Sequence, residues 1–384
     1  MKKQKNPPKL WLLSSNRWYS AISAYCIEMS QGLQSQHVAH QVTLTCHSKA
    51  LKVALQRNLP LTKTIVSFSV NKYYKLLRIY MMFYPRIAVS FGGPEATFLQ
   101  FLSLIIPIQH IRFKGDWQKH THLKNLAPFL SKLSTVGVKH IILPNQKIQQ
   151  QLNQRKILNT SIIPFGSSQI RKSFIPYAGQ SDLLIVGRLD PVKGHAHFFK
   201  IFHAFLKLLT RKEIPHPKLQ LIGLPANLSA KDLRLATNAA GLRPDKDIEW
   251  LQQHVSNLNE YMSLCSVGII CSLDSEHICR VAVEFLRCGT PLFLSGAGGL
   301  EECLFENTGV SYQGLDIQKS AELLYRLWQQ AILETDEQRQ ARAQAAQERF
   351  NSEQMGRKLL ELIERLSLQQ EYHKSSPALP PKSK

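Results

Sequence analysis

The sequence predicts an α/β protein built as two domains, each a parallel sheet with helical crossovers. Three observations predict it. The chain has 384 residues, more than one ordinary hydrophobic core accommodates. Short aliphatic and β-branched runs alternate with amphipathic helical stretches from one end to the other, the pattern of strand–helix–strand units. A polar stretch rich in turn residues, Gly166-Ser167-Ser168 through Gly179-Gln180-Ser181, divides this alternation into two series.

In the first series, residues 10–13 read as the opening strand, and Ile22, Tyr25, Cys26, Met29 and Leu33 then recur on one helical face. Residues 42–45, 65–69, 87–90, 105–108, 140–143 and 161–163 supply further strands. These place a first domain at 1–172. The second series opens with a strand at 183–186, followed by Phe198, Phe202, Phe205 and Leu209 on one helix face and by strands at 219–222, 267–271 and 292–294. It forms a second domain over 173–348. Residues 334–370 read as helical and charged, and the Ser- and Pro-rich end, 373–384, has the composition of a disordered tail. No internal repeat is visible.

With 44% apolar and 20% charged residues the composition is that of a globular protein. The seven cysteines, at 26, 46, 265, 271, 279, 288 and 303, are odd in number and form no CxxC pair. Reduced, buried thiols in a cytosolic protein are the expectation. The basic start, Lys2-Lys3-Gln4-Lys5, precedes an apolar run of only Leu10 to Leu13, too short for an export signal. The longest apolar stretch, 98–108, is interrupted by Gln100, Ser103 and Pro107 and has about half the length that spans a bilayer.

Charge is distributed unevenly. Residues 1–180 hold 24 Lys and Arg against three acids, Glu28, Glu95 and Asp116, whereas residues 181–384 hold 24 of each sign. The whole excess of +21 therefore lies in the first domain, and a one-sided field favours an anionic partner there. A basic surface kept merely for solubility is the plainer alternative.

Two local patterns carry chemistry. Gly187-Arg188-Leu189-Asp190-Pro191-Val192-Lys193-Gly194 follows a strand and precedes a helix. Glycines there let the backbone approach a ligand, and a helix N-terminus flanked by two cations suits anionic oxygens. At about 4 Å and an effective dielectric near 20, each cation contributes roughly 4 kcal/mol of gross attraction to a departing diphosphate. A turn with solvated charges is the alternative. The second pattern is Glu276-His277-Ile278-Cys279-Arg280-Val281-Ala282-Val283-Glu284, followed by Phe285-Leu286-Arg287-Cys288-Gly289-Thr290-Pro291. If the intervening residues were all helical, the two glutamates would stand about 12 Å apart. Retaining glycosidases need about 5–5.5 Å, so the spacing suits carboxylates that grip two ends of one extended ligand. Two surface glutamates on a helix are the ordinary reading.

Together these patterns resemble glycosyltransferase family 4, the envelope polysaccharide and lipopolysaccharide type, whose members have the GT-B fold of two facing Rossmann-like domains. Ile163-Pro164-Phe165-Gly166 resembles the family's Pro-Asn-Gly turn, Gly187 to Gly194 its phosphate loop and Glu276 to Glu284 its E-x7-E element. Cys288-Gly289-Thr290-Pro291 matches the segment after that element, Gly298-Gly299-Leu300-Glu301-Glu302 is similar to the Gly-Gly-Ile-Pro-Glu strand exit, and Arg349-Phe350-Asn351-Ser352 to the start of the returning helix. The likeness spans most of 160–370 and is weaker before it. The resemblance implies a crossover helix at 349–372 packing on the first domain. It implies a nucleotide-diphosphate sugar as substrate, no cofactor and no metal. Arg188 and Lys193 would neutralise the diphosphate, Glu284 would hold the ribose, and Glu276 would contact the transferred sugar. Gly187, Ile278, Cys279 and Arg280 complete the implied donor site. Retention of anomeric configuration by front-face attack is implied too. The chain departs from the family where Glu276-His277-Ile278-Cys279 replaces Glu-Gly-Phe-Gly, and where Ser14-Ser15-Asn16-Arg17-Trp18 replaces a Gly-Gly turn.

On the acceptor side, His110-Ile111-Arg112-Phe113-Lys114-Gly115-Asp116-Trp117 resembles a cleft loop of envelope-polysaccharide members, with Arg112, Lys114 and Asp116 as candidates against a surface salt bridge. Gly92 and Gly93 line the cleft or form a plain βα turn. Residues 73–84 mix cations with aromatics and read either as a helix lying in a membrane interface or as a buried helix of the first domain. The expected protein is a cytoplasmic transferase, peripheral at the membrane's inner face, acting on a lipid-linked or phosphorylated saccharide. A sugar-nucleotide epimerase of the same fold is the rival enzyme. A nucleic-acid protein has only the charge in its favour and no aromatic-basic reading motif, so no nucleic acid is expected.

Overall fold

The structure, a computed structural model, describes residues 9–16, 20–36, 42–56, 65–68, 73–115, 136–154, 159–168, 175–177, 179, 181–251, 255, 257–274 and 276–375. Asp116, Trp117, Arg17, Trp18 and the tail beyond 375 lie outside them.

Two wholly parallel sheets organise the chain. The first, of seven strands, comprises β1 (Leu10–Ser14), β2 (Val42–His47), β3 (Ile65–Phe68), β4 (Ile87–Ser90), β5 (Gln109–Phe113), β6 (Val138–Leu143) and β7 (Thr160–Ile162), in the order β3-β2-β1-β4-β5-β6-β7. Its helices are α1 (Ala21–Ser35), α2 (Ser48–Gln56), α3 (Tyr73–Phe83), α4 (Gly93–Ile105) and α5 (Gln146–Asn153). The second sheet comprises β8 (Leu183–Val186), β9 (Leu219–Ile222), β10 (Ile248–Leu251), β11 (Val267–Ile270), β12 (Leu292–Leu294) and β13 (Gly309–Ser311), in the order β10-β9-β8-β11-β12-β13. It carries α6 (His195–Arg211), α7 (Ala230–Ala239), α8 (Leu258–Leu264), α9 (Arg280–Leu286), α10 (Ile317–Ile332) and α11 (Asp336–Arg349). The last helix, α12 (Ser352–Ser375), returns to the first sheet.

One expected strand is displaced. Residues 105–108 are the exposed end of α4 and the turn after it, and β5 starts at Gln109. Ile105 there is 83% exposed although Ile108 is buried, and the polar His110 is buried and hydrogen-bonded to Ser90 Oγ at 2.8 Å. Pairing with β4, not local apolarity, decides the strand. The edge strands β10 and β13 have no continuous apolar run and leave little trace in the sequence. The helical stretch expected over 334–370 forms α11 and α12, divided at Phe350-Asn351, where the resemblance put the start of the returning helix.

Helix α1 is buried from Ser23 through Leu33 almost all round, because α12 covers the side turned away from the sheet. Gly32 and Gly356 meet at this crossing, and a methyl on either would overlap the other helix's backbone. At the boundary between the sheets the chain passes twice, at Ser167 and at Asn351, and the passages pair as a parallel bridge. Arg287 Nη1 donates to the Ser167 carbonyl at 2.6 Å and to the Phe350 carbonyl at 3.0 Å. Buried Glu28 of α1 accepts from Ser167 Oγ at 3.1 Å and Ser168 N at 2.6 Å.

Helix α3 has two faces. Leu76, Ile79 and Tyr80 pack with Trp11, Leu13 and Leu99 beneath the sheet, while Leu77, Met81, Met82 and Tyr84 remain exposed. No described helix is long and apolar enough to cross a membrane.

Two measurements test this packing. Gly32→Ala is expected to lower unfolding free energy by about 1–3 kcal/mol, since overpacking forces the helices apart; chemical denaturation reads it. Burial, with the nearby Arg112 charge, lowers the His110 pKa to about 3. Between that value and its unfolded value near 6.5, the unfolded chain binds a proton the folded chain refuses, so stability falls with falling pH by up to about 1.4 kcal/mol per unit. His110→Gln should flatten that part of the acid denaturation profile.

Candidate donor site at the second sheet

In the second sheet the strand order reverses between β8 and β11, so the loops leaving those strands splay apart and open a crevice at their carboxyl ends. The recess there is lined by Gly187, Lys193, His195, Ser272, Glu276 and neighbouring β8 and β11 residues.

The β8 loop is held rigidly. Asp190 caps the turn Pro191–Lys193 by accepting from Val192 N at 3.2 Å, and Asn227 Nδ2 donates to the other carboxylate oxygen at 2.8 Å. Leu273 N donates to the Val192 carbonyl at 2.8 Å, and Cys271 Sγ to the Lys193 carbonyl at 3.1 Å, tying the loop to β11. Burial pushes the Cys271 thiol up to about 12, so it stays protonated. Gly194 has φ +71° and lies against the Cys271 carbonyl, where a side chain finds no room. The 17-residue helix α6 starts directly after it with no side-chain cap, leaving its first amides toward the loop.

Lys193 Nζ donates to Glu276 Oε1, and Ser272 Oγ donates to the same oxygen at 2.8 Å. Both partners of this ion pair are partly shielded, with side chains 27% and 17% exposed. The Glu276 carbonyl accepts from Gly299 N at 2.8 Å, which fixes the loop from behind. Arg188 shares the β8 loop, but its side chain is 68% exposed and stands 3.8 Å from Asp190. Glu284 sits on α9 and pairs with Arg280 at 3.2 Å.

Ile278 and Cys279 are buried and do not line the recess. Ile278 Cδ1 would stand 3.2 Å from a methyl on Gly115, so it packs against the first domain. Cys279 adopts φ +56°, a left-handed conformation more natural to glycine. On the first domain, the equivalent order reversal falls between β1 and β4. Gly92 and Gly93 lie there at the start of α4, Gly93 facing open space, and Arg112 and Lys114 follow on the neighbouring strand and its exit.

Several participants leave no sequence signal of their own. His195, buried in the recess wall, donates from Nε2 to the Arg188 carbonyl at 3.1 Å, which leaves Nδ1 as a bare lone pair without a partner. Burial lowers its pKa and keeps it neutral. Buried Glu95 accepts from Ser15 N at 3.0 Å and from Ser15 Oγ, pinning the turn after β1. Across the cleft, Asn145 Nδ2 donates to the His277 carbonyl at 2.7 Å, and Glu302 accepts from Gln146 N at 2.8 Å and Lys147 N at 3.0 Å. His195 follows the glycine that starts a helix, and Asn145 stands where an N-cap is expected; those are the only hints in the sequence.

The family model described as Glycosyl transferases group 1 matches residues 167–349. No curated protein matches the chain in sequence. Among solved structures, Anabaena Alr3699/HepE in complex with UDP and glucose is 15% identical with a TM-score of 0.69, covering 94% of this chain and 100% of its own. Sucrose-phosphate synthase from Thermosynechococcus elongatus is 16% identical with a TM-score of 0.68, covering 94% and 99%. The lipopolysaccharide outer core galactosyltransferase WaaB in its apo form is 12% identical with a TM-score of 0.66, covering 92% and 98%. At these identities the likeness establishes the fold. Residues 167–349 thus carry a glycosyl transferases group 1 domain within a GT-B fold, and the chain is a glycosyltransferase.

Proposed function

We propose that the chain is a retaining, metal-independent transferase of the family 4 type that moves a sugar from a nucleotide-diphosphate sugar to a lipid-linked or phosphorylated envelope saccharide. The observation that carries the donor reading is the Lys193–Glu276 pair at the mouth of the recess, next to the uncapped start of α6. An arriving diphosphate competes for Lys193 and for the helix amides, and Arg188, extended into solvent, swings in as the second cation. Glu276 is then released from the ammonium and accepts from hydroxyls of the transferred sugar. Glu284 takes the ribose end. Two cations and a helix dipole stabilise the charge that develops on the leaving phosphate, the task a metal performs elsewhere. The phosphate oxygen accepts the proton of the attacking hydroxyl, and the sugar keeps its anomeric configuration.

On the acceptor side, Arg112 and Lys114 face an anionic saccharide from the first domain, with Asp116 beyond the described residues. The charge asymmetry supports this. Cytoplasmic placement with peripheral attachment to an anionic membrane belongs to the same reading. UDP, bound by the Anabaena protein, is the first nucleotide to try.

Thermal shift against a panel of nucleoside diphosphates is expected to single out one that raises the melting temperature, because a ligand bound only by the folded state stabilises it. Lys193→Ala and Glu284→Ala should weaken that nucleotide about tenfold or more; unchanged affinity in both would remove the donor assignment. Gly194→Ala should cost about 1–3 kcal/mol of stability and abolish the nucleotide response. Product analysis with labelled donor distinguishes the chemistries: isomerised nucleotide sugar in the absence of any acceptor would make the protein an epimerase.

A further inference from the structure

The wall of the recess contains a polar atom that the fold does not satisfy. His195, the first residue of α6, is 3% exposed, and its ring lines the recess with Gly187, Lys193 and Glu276. Its two nitrogens have different fates. The Arg188 carbonyl can only accept, so Nε2, 3.1 Å away, carries the ring proton. That bond fixes the tautomer and leaves Nδ1 with a lone pair. Nδ1 is buried and meets no hydrogen-bond partner among the described residues. A buried acceptor in the wall of a recess points to a ligand that supplies the missing proton.

The surroundings say what that ligand is. Helix α6 begins at Gly194 with no side-chain cap, so its first amides remain open toward the loop. Lys193 Nζ stands at the mouth on Glu276. Amide donors and an ammonium suit phosphate oxygens, whereas a bare imidazole lone pair repels them. Two acceptors meet only across a shared proton.

We infer that a diphosphate entering the recess brings one proton with it from solvent, held between His195 Nδ1 and a phosphate oxygen, and that the histidine thereby becomes a further donor to the leaving group beside Lys193 and the α6 amides. The inference rests on the donor reading above. No bond to carbon or phosphorus changes in this step: a solvent proton adds to the Nδ1 lone pair, and its charge offsets one negative charge of the diphosphate. The groups around the ring set the direction of the exchange. Before the ligand arrives, burial lowers the imidazole pKa; the bond to the Arg188 carbonyl opposes this, Lys193 lowers it further and Asp190 raises it. Glu276 offsets Lys193 through their ion pair, and the Arg188 guanidinium is 68% exposed beside Asp190. Cys271 and Tyr312, on strand exits packed against the start of α6, are kept protonated by burial and add no charge. Phosphate charges against Nδ1 favour the imidazolium, so the bound pKa lies above the free one. Binding therefore consumes a proton, and affinity grows as the pH falls from the bound value toward the free one.

Calorimetric titration of the full chain, near neutral pH and in buffers of different ionisation enthalpy, counts the protons. The probes are inorganic pyrophosphate and the nucleoside diphosphates of the panel above. The native chain is expected to take up roughly one proton more than His195→Gln, whose amide keeps a donor for the Arg188 carbonyl but cannot be protonated. For each unit of falling pH, native affinity should gain up to about tenfold over that of the variant. The comparison also subtracts the titration of the ligand's own phosphates. Should the variant lose the native melting temperature, nitrogen NMR of isotope-labelled histidines in the native chain reads the same event, an Nδ1 that is unprotonated in the free protein and protonated in the bound one. Binding with equal proton uptake in both chains, or a native Nδ1 that stays unprotonated because a ligand hydroxyl donates to it, overturns the inference and leaves the donor site standing. Absence of any diphosphate binding removes the donor site and this inference together.

Discussion

Both passages between the two sheets are held by a single guanidinium. Arg287 lies at the end of the same short helix that carries Glu284, and it donates to the carbonyls of Ser167 and Phe350. A buried cation of this kind is tolerable because its donors are satisfied and Glu28 stands nearby across the Ser167-Ser168 turn. Removing one partner would strand the other in a dry place. The orientation of one domain against the other, and hence the cleft, depends on this junction, with the Gly32–Gly356 helix crossing as its second fixed point.

The position of the site follows from strand order. Each sheet reverses its direction of growth once, and the loops at the reversal have no neighbour to cover them. In the second sheet these loops bring the phosphate-type glycine turn against the strand exit with Glu276; in the first they bring Ser15 against Glu95. The two reversals thus supply the loops from which the cleft is built. The chemistry placed there is electrostatic: paired opposite charges, a free helix start and a neutral histidine, with protonated cysteines in supporting roles.

What the sequence made legible was whatever is local. The Gly187–Gly194 turn and the alternation of strands and helices are short-range patterns, and they stand in the structure where strand, turn and helix were expected. What it hid is long-range. Ser15 and Glu95 are 80 residues apart, and Asn145 and His277 are 132 apart, so nothing in the order of the chain announces that they meet. The strand β5 was obscured because its buried His110 is polar and bonded to Ser90, while the apolar run just before it ends a helix with Ile105 exposed. Counting charge revealed a basic half but not that Glu28 and Glu95 are both interior. Ile278 and Cys279, which the resemblance implied at the donor, are both buried, Ile278 close to Gly115 of the first domain.

The hydrogen bond from Asn145 to the His277 carbonyl, together with the Glu302 carboxylate seated on the Gln146 and Lys147 amides, joins the sugar-side loop to the opposite domain. Separation of the domains would uncover two backbone donors and one acceptor simultaneously, so gaping and loop order are a single equilibrium. Any molecule that rigidifies that loop therefore favours the shut arrangement, and by reciprocity anything that shuts the domains orders the loop. A ligand bound wholly to the first domain that favours the shut arrangement would in this way order a loop it never touches.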